Sequence, residues 1–139
     1  MSNNAIPYLF FPGTCREAFA FYEKTLNGKM QAMMAASEAP PSDQNMMGDP
    51  NLIMHACLDL PGGGRLMASD SPAQYYQKPQ GFSVSIHPSS VKEAERLFAA
   101  LSEGGQVTMP MEKTFWAERF GCCVDRFGTP WMINCEKEA

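Results

Sequence analysis

The sequence predicts an α+β fold built from two tandem βαβββ modules, with curved mixed sheets around a cleft. Three observations lead there. A short helix-like segment occurs twice. Each copy follows a strand-like run that stops at a proline. Each copy is then followed by three more strand-like runs. An internal repeat of this kind is sought first, because it governs how every other segment is read.

The first module opens on residues 6–11, an apolar run stopped by Pro12-Gly13. A helix follows, Arg16-Glu17-Ala18-Phe19-Ala20-Phe21-Tyr22, closing at Asn27-Gly28. Its small and apolar residues fall on one face, and the glycine supplies a stop. Thr14 is the expected N-cap. Strands are expected at 29–35, 52–60 and 65–70. Residues 37–51 form a long loop rich in Pro, Ser, Asp and Asn, which reads as flexible.

The second module opens on residues 82–87, where Phe82, Val84 and Ile86 alternate with Ser83, Ser85 and His87. That is the period-two pattern of a half-buried strand. The helix Lys92-Glu93-Ala94-Glu95-Arg96-Leu97-Phe98 closes at Gly104-Gly105 and takes Ser89 or Ser90 as its N-cap. Strands are expected at 106–111, 120–125 and 130–135. Glu17 and Glu93, like Ala18 and Ala94, stand 76 residues apart, whereas Asp59 and Asp125 stand 66 apart. The longer first-half loop accounts for the difference. The modules therefore span about residues 5–70 and 81–136 of one domain, joined by a linker at 71–80.

Composition bounds the function classes. A chain of 139 residues with 45% hydrophobic and 19% charged residues is a single globular domain rather than a disordered one. A net charge of −4 argues against nucleic acid or an anionic membrane as partner. No apolar run approaches the ~18 residues of a membrane span. The N-terminal Met-Ser-Asn-Asn lacks the basic and apolar regions of a secretory signal, so a cytoplasmic location is expected. The five cysteines include no Cys-x-x-Cys, and adjacent Cys122 and Cys123 point to opposite faces of a strand. They read as buried small hydrophobes, with a reactive thiol at one of the pair as the other option.

An ordered set of short motifs adds a family. It comprises Pro7-Tyr8-Leu9-Phe10-Phe11, Glu17-Ala18 with Phe21-Tyr22, and His55-Ala56 with Leu66-Met67-Ala68-Ser69-Asp70. Thr114-Phe115-Trp116, Phe120-Gly121, Asp125 with Phe127-Gly128, and Trp131-Met132-Ile133-Asn134 complete it. With these motifs the chain resembles the vicinal-oxygen-chelate superfamily of glyoxalase I, bleomycin-resistance proteins and extradiol dioxygenases. More narrowly it resembles the PhnB-like branch, often labelled as similar to 3-demethylubiquinone 3-methyltransferase. The resemblance implies paired βαβββ modules, a homodimer, and a divalent metal held by His, Glu or Gln near the ends of four strands. Those four positions fall here at Pro7 or Tyr8, Ala68 or Ser69, Gly81 or Phe82, and Met132. None suits a hard or borderline cation, so no metal or other cofactor is expected. The methyltransferase label rests on Leu58-Asp59-Leu60-Pro61-Gly62-Gly63-Gly64, which is followed by a strand-like run. A tight turn between strands accounts for these glycines.

Candidate site residues follow from strand counting and the resemblance. His55 shares a strand face with Ile53, Cys57 and Asp59. It is read either as a proton acceptor or ligand donor, or as a structural histidine. Asp70 falls on one face with Leu66 and Ala68, and the repeat matches that face to Pro130, Met132 and Asn134. It is a polar group at the cleft, or a turn-starting aspartate before Ser71-Pro72. Ser83 and Ser85 line a polar cavity or face water. Trp116 caps the cleft or fills a dimer contact. His87, before Pro88, is assigned to a turn or the surface, and Trp131 to the core.

The expected function is metal-free binding of a small apolar or aromatic molecule. Met132, Trp116, Ser83, Ser85 and Asn134 would line the site, and His55 or Asp70 would fix orientation. The alternatives are a lyase, isomerase or dioxygenase-type enzyme with an unorthodox or absent metal site, His55 acting as the catalytic base in a metal-free lyase or isomerase, and a dimeric scaffold.

Overall fold

A strand period and a helix period alternate along each half of the chain. In the computed structural model each half becomes one four-stranded sheet with one helix. The chain divides into two units, residues 1–77 and 78–139, and the boundary falls inside the 71–80 segment. The structure describes residues 3–41 and 48–136. Residues 42–47, within the 37–51 stretch expected as a flexible loop, lie outside the described residues.

The first unit runs β1 (Tyr8–Phe11), α1 (Cys15–Thr25), β2 (Lys29–Ala35), β3 (Ile53–Asp59) and β4 (Arg65–Asp70). Its sheet order is β1-β4-β3-β2, with β1 parallel to β4 and the other pairs antiparallel. The second unit runs β5 (Val84–Ile86), α2 (Val91–Ser102), β6 (Gln106–Glu112), β7 (Ala117–Val124) and β8 (Pro130–Glu136). Its order, β5-β8-β7-β6, repeats the first, with β5 parallel to β8. The two βαβββ modules are thus confirmed.

Each helix lies on one face of its own sheet. α1 buries Cys15, Ala18, Phe19 and Tyr22, a stripe at i, i+3, i+4 and i+7. The Phe11 ring lies 6.4 Å from those of Phe19 and Tyr22. The chain leaves α1 through Asn27, whose φ of 55° is the left-handed conformation that ends helices. α2 buries Ala94, Leu97 and Leu101, and Ser90 caps it, its hydroxyl accepting the Glu93 N–H at 3.1 Å.

Thr14, expected to cap α1, makes no capping bond, and its hydroxyl is buried without a partner. Asp70 takes over that role from the end of β4. Its Oδ1 accepts the N–H groups of Gly13 (3.1 Å) and Cys15 (2.9 Å), and its Oδ2 accepts that of Ile53 (2.8 Å). One carboxylate thereby fixes the start of α1 and the start of β3, where a negative charge is favoured by the helix dipole.

Asp125 is a second buried carboxylate clamp, but it holds the turn between β7 and β8 rather than a helix start. Its Oδ1 accepts from the Phe127 and Thr129 N–H groups, and its Oδ2 from the indole N–H of fully buried Trp131 at 2.7 Å. The turn role read for Asp125 and the core role read for Trp131 meet in this cluster.

The face assigned to Asp70 needs correction. Leu66, Ala68 and Asp70 are buried on the α1 side of their sheet. In β8 the residues buried toward α2 are Trp131, Ile133 and Cys135, while Met132 and Asn134 alternate away. Arg65 pairs with Asp59, and Pro130 with Val124, each pair joining the third and fourth strands of its unit at the turn. On that register Met67 corresponds to Met132, and Ser69, not Asp70, corresponds to Asn134. A one-residue slip exchanges the two faces of a strand.

Other boundaries shift for local reasons. β5 covers three residues rather than 82–87, since it is an edge strand paired only with β8. Phe82 and Ser83 fall outside it and are exposed. β7 begins three residues earlier than expected, because the Thr114 N–H donates to the Ala117 carbonyl and the Thr114 hydroxyl accepts the Ala117 N–H, both at 3.0 Å.

Gly105 marks the tightest backbone approach. A Cβ there would stand 2.1 Å from the Val124 carbonyl oxygen, whereas one at Gly64 would meet only Leu60 side-chain atoms at 3.6 Å. Gly105→Ala is therefore expected to cost about 1–3 kcal/mol of stability, and Gly64→Ala no more than about 0.5 kcal/mol. Urea denaturation of the two variants checks the contrast.

Cys15, Cys57, Cys123 and Cys135 are buried, and Cys122 is half-buried. Burial, and secondarily Asp70, pushes the Cys15 thiol up to about 12 from an ordinary 9.0. Burial, then Asp125, pushes Cys123 up to about 11. A folded-state value above the unfolded one favours the native state at low pH. That contribution is fully present below pH 9.0 and is lost as pH rises through 11 to 12. At pH 8, a thiol reagent is expected to modify Cys122 first and to reach Cys15 and Cys123 only on unfolding. Peptide mass mapping reads the order. Among the described residues no helix is long and apolar enough to cross a membrane.

Candidate functional site

Each sheet has a face turned away from its helix, and the candidate residues gather there. In β1, buried Leu9 and Phe11 alternate with exposed Tyr8 and Phe10. The register sets Tyr8 beside Met67 and Phe10 beside Ser69, with Cys57 opposite Met67 and His55 opposite Met34. His55 is brought into this group through Tyr8, whose hydroxyl lies 3.3 Å from His55 Nδ1 and whose ring stacks on the imidazole at 6.0 Å. The Phe10 ring lies 5.2 Å from that of Tyr8. Asp70 points to the opposite face, with both oxygens bonded to backbone N–H groups.

In the second unit the helix-free face carries Ser85, Cys122, Met132, Phe120 and Asn134. Ser85 and Cys122 flank Met132 on either side, Phe120 stands opposite Asn134, and Met109 pairs with Cys122. Trp116, in the β6–β7 connection, meets Phe120 edge to face at 5.2 Å. Ser85 Oγ lies 2.9 Å from His87 Nε2. A pocket of ≈260 Å³ opens between His87, Pro88, Ser89, Asn134 and Glu136. The Asn134 Oδ1 is buried without a hydrogen-bond partner. Four predicted residues, Ser85, Trp116, Met132 and Asn134, thus share one face. Ser83 does not join them, because it precedes the strand.

The sequence alone does not single out Tyr8, Phe10 and Phe120 for these faces. Residues 7–11 are continuously apolar, so no alternation marks which side chains face away from α1. Phe120 is marked only by the cross-strand partner it acquires on folding.

This paired βαβββ architecture is that of the vicinal-oxygen-chelate superfamily. A solved glyoxylase/bleomycin resistance protein/dioxygenase domain from Frankia sp. EAN1pec shares the fold at TM-score 0.65, with 14% identity and 99% coverage of both chains. Residues 3–134 match the family described as 3-demethylubiquinone-9 3-methyltransferase. The chain belongs to that family, in its PhnB-like branch. It is 34% identical to Protein YjdN of Escherichia coli (strain K12) over 140 residues, covering 95% of each. It is 47% identical to the solved protein PA1353 from Pseudomonas aeruginosa, at TM-score 0.87, covering 99% of this chain and 100% of that one.

The family name implies adenosylmethionine, and the superfamily implies a divalent metal. Neither fits the residues present. The glycine-rich segment joins antiparallel β3 and β4 through a single 3-10 turn, Pro61–Gly63, with the Leu60 N–H donating to the Gly64 carbonyl at 2.8 Å. It does not open a helix N-terminus onto a cofactor. At the positions where the superfamily resemblance implies metal ligands stand Pro7 or Tyr8, Ala68 or Ser69, Gly81 or Phe82, and Met132, none of which suits a divalent cation. Among the described residues no three His, Cys, Asp or Glu side chains converge. No chemical step is derived through either group.

Proposed function

We propose that the protein binds a small apolar or aromatic molecule, without a metal, on the helix-free faces of its sheets. One observation carries this reading: large apolar side chains on those faces remain open to water. Tyr8 is 39%, Phe10 52%, Met34 45%, Met109 50% and Trp116 47% exposed. Exposed apolar side chains grouped on one face of a sheet in this way mark interaction sites. Thioethers and aromatic rings make it adaptable, since methionine repacks around differently shaped partners at little cost. Ser85, His87 and Asn134 supply the polar groups that orient a ligand in an otherwise apolar site.

Homodimer formation is part of the proposal. Native mass spectrometry of protein purified without added ligand tests both points. A dimer mass and a retained small organic molecule are expected. In a thermal-shift screen of neutral aromatic compounds, binders are expected to raise Tm. Trp116→Ala is expected to weaken them about 5- to 30-fold. A screen with no stabilising compound would overturn the proposal.

A further inference from the structure

We infer that Tyr8 sets the protonation pattern of His55, and so makes the first sheet selective for aromatic molecules that carry a hydrogen-bond acceptor. The inference rests on the binding reading above and names the ligand class for one of its faces. Tyr8 and His55 are 47 positions apart in sequence, and their side chains meet because β1 pairs with β4, which pairs with β3. The contact runs from the Tyr8 hydroxyl to Nδ1, not Nε2.

A neutral imidazole has one donor and one acceptor nitrogen, and which is which follows from the partner of each. A phenol is a better donor than a neutral imidazole N–H, and an imidazole nitrogen is a better acceptor than a phenol oxygen. Tyr8 therefore donates and Nδ1 accepts, which leaves the proton on Nε2. An N–H is thereby fixed at Nε2, on an imidazole that stacks on the Tyr8 ring and stands opposite Met34.

A ketone, ester or carboxylate oxygen attached to an aromatic ring satisfies this donor while its ring covers the apolar surface. A purely apolar compound displaces water from the donor without replacing its bond, which costs affinity. The same tautomer makes Nε2 a donor rather than a proton acceptor in the neutral state. Tyr8 is thus a positioning residue, acting through His55.

The test compares acetophenone with ethylbenzene, which has similar size and shape but no acceptor. Nitrogen-15 shifts of the His55 ring, recorded with the imidazole neutral, report the tautomer directly. The expected result is the Nε2–H form in the unmodified protein and a tautomer mixture in Tyr8→Phe. Acetophenone is expected to bind about 5-fold more tightly than ethylbenzene, a preference that shrinks in Tyr8→Phe and vanishes in His55→Phe. An Nδ1–H tautomer, or a preference undiminished in Tyr8→Phe, would overturn the inference. Equal binding of the two probes would overturn it while leaving the binding proposal intact. Binding of neither would defeat both for this face.

Discussion

Asp70→Ala is expected to lower the unfolding free energy by about 3–5 kcal/mol, among the largest effects of any single substitution in the chain. The carboxylate accepts three backbone N–H groups, those of Gly13, Cys15 and Ile53. Asp70 is only 4% exposed, so water does not replace the lost acceptor freely. Hydrogen bonds to a charged acceptor are stronger than neutral ones, and a buried donor left without a partner keeps its full desolvation cost. Asp70→Asn retains one acceptor oxygen and is expected to lose roughly half as much. Urea denaturation followed by circular dichroism measures both, and a loss below about 1 kcal/mol for the alanine variant would refute the clamp.

Trp131→Ala is expected to cost a similar 3–5 kcal/mol, for a different reason. The indole is fully buried between β8 and α2, and its removal leaves a large cavity in the second unit. It also removes the N–H that Asp125 Oδ2 accepts. Trp131→Phe retains most of the ring volume and loses only that bond, so a smaller drop of about 1–2 kcal/mol is expected. Equal losses for the two variants would mean that the hydrogen bond, not the packing, dominates. The comparison uses midpoints from the same denaturation experiment.

Much of the fold was legible because its signals are local. The helix stripes, the glycine and asparagine stops, and the Ser90 cap each lie within a few residues of what they control. Register was not legible. The spacing that aligns Glu17 with Glu93 does not carry through the long first loop, so Asp70 was set against Asn134 and assigned the wrong face. The α1 cap was missed because it comes from Asp70, more than 50 positions along the chain, while Thr14 stands in the usual place. The site divides in the same way. Ser85, Met132 and Asn134 share a face that strand counting and the family resemblance together single out. The Tyr8–His55 contact depends on strand pairing across the sheet.

The central claim is that the face opposite the helix in each unit is a binding surface, and methionine methyl NMR tests it most directly. Met34 and Met67 lie on that face of the first unit, and Met109 and Met132 on that of the second. With methyl-labelled methionine and a titration of 1-naphthol, the resonances of each face are expected to shift and saturate. Resonances that stay fixed, or shifts that rise linearly without saturation, would contradict the claim.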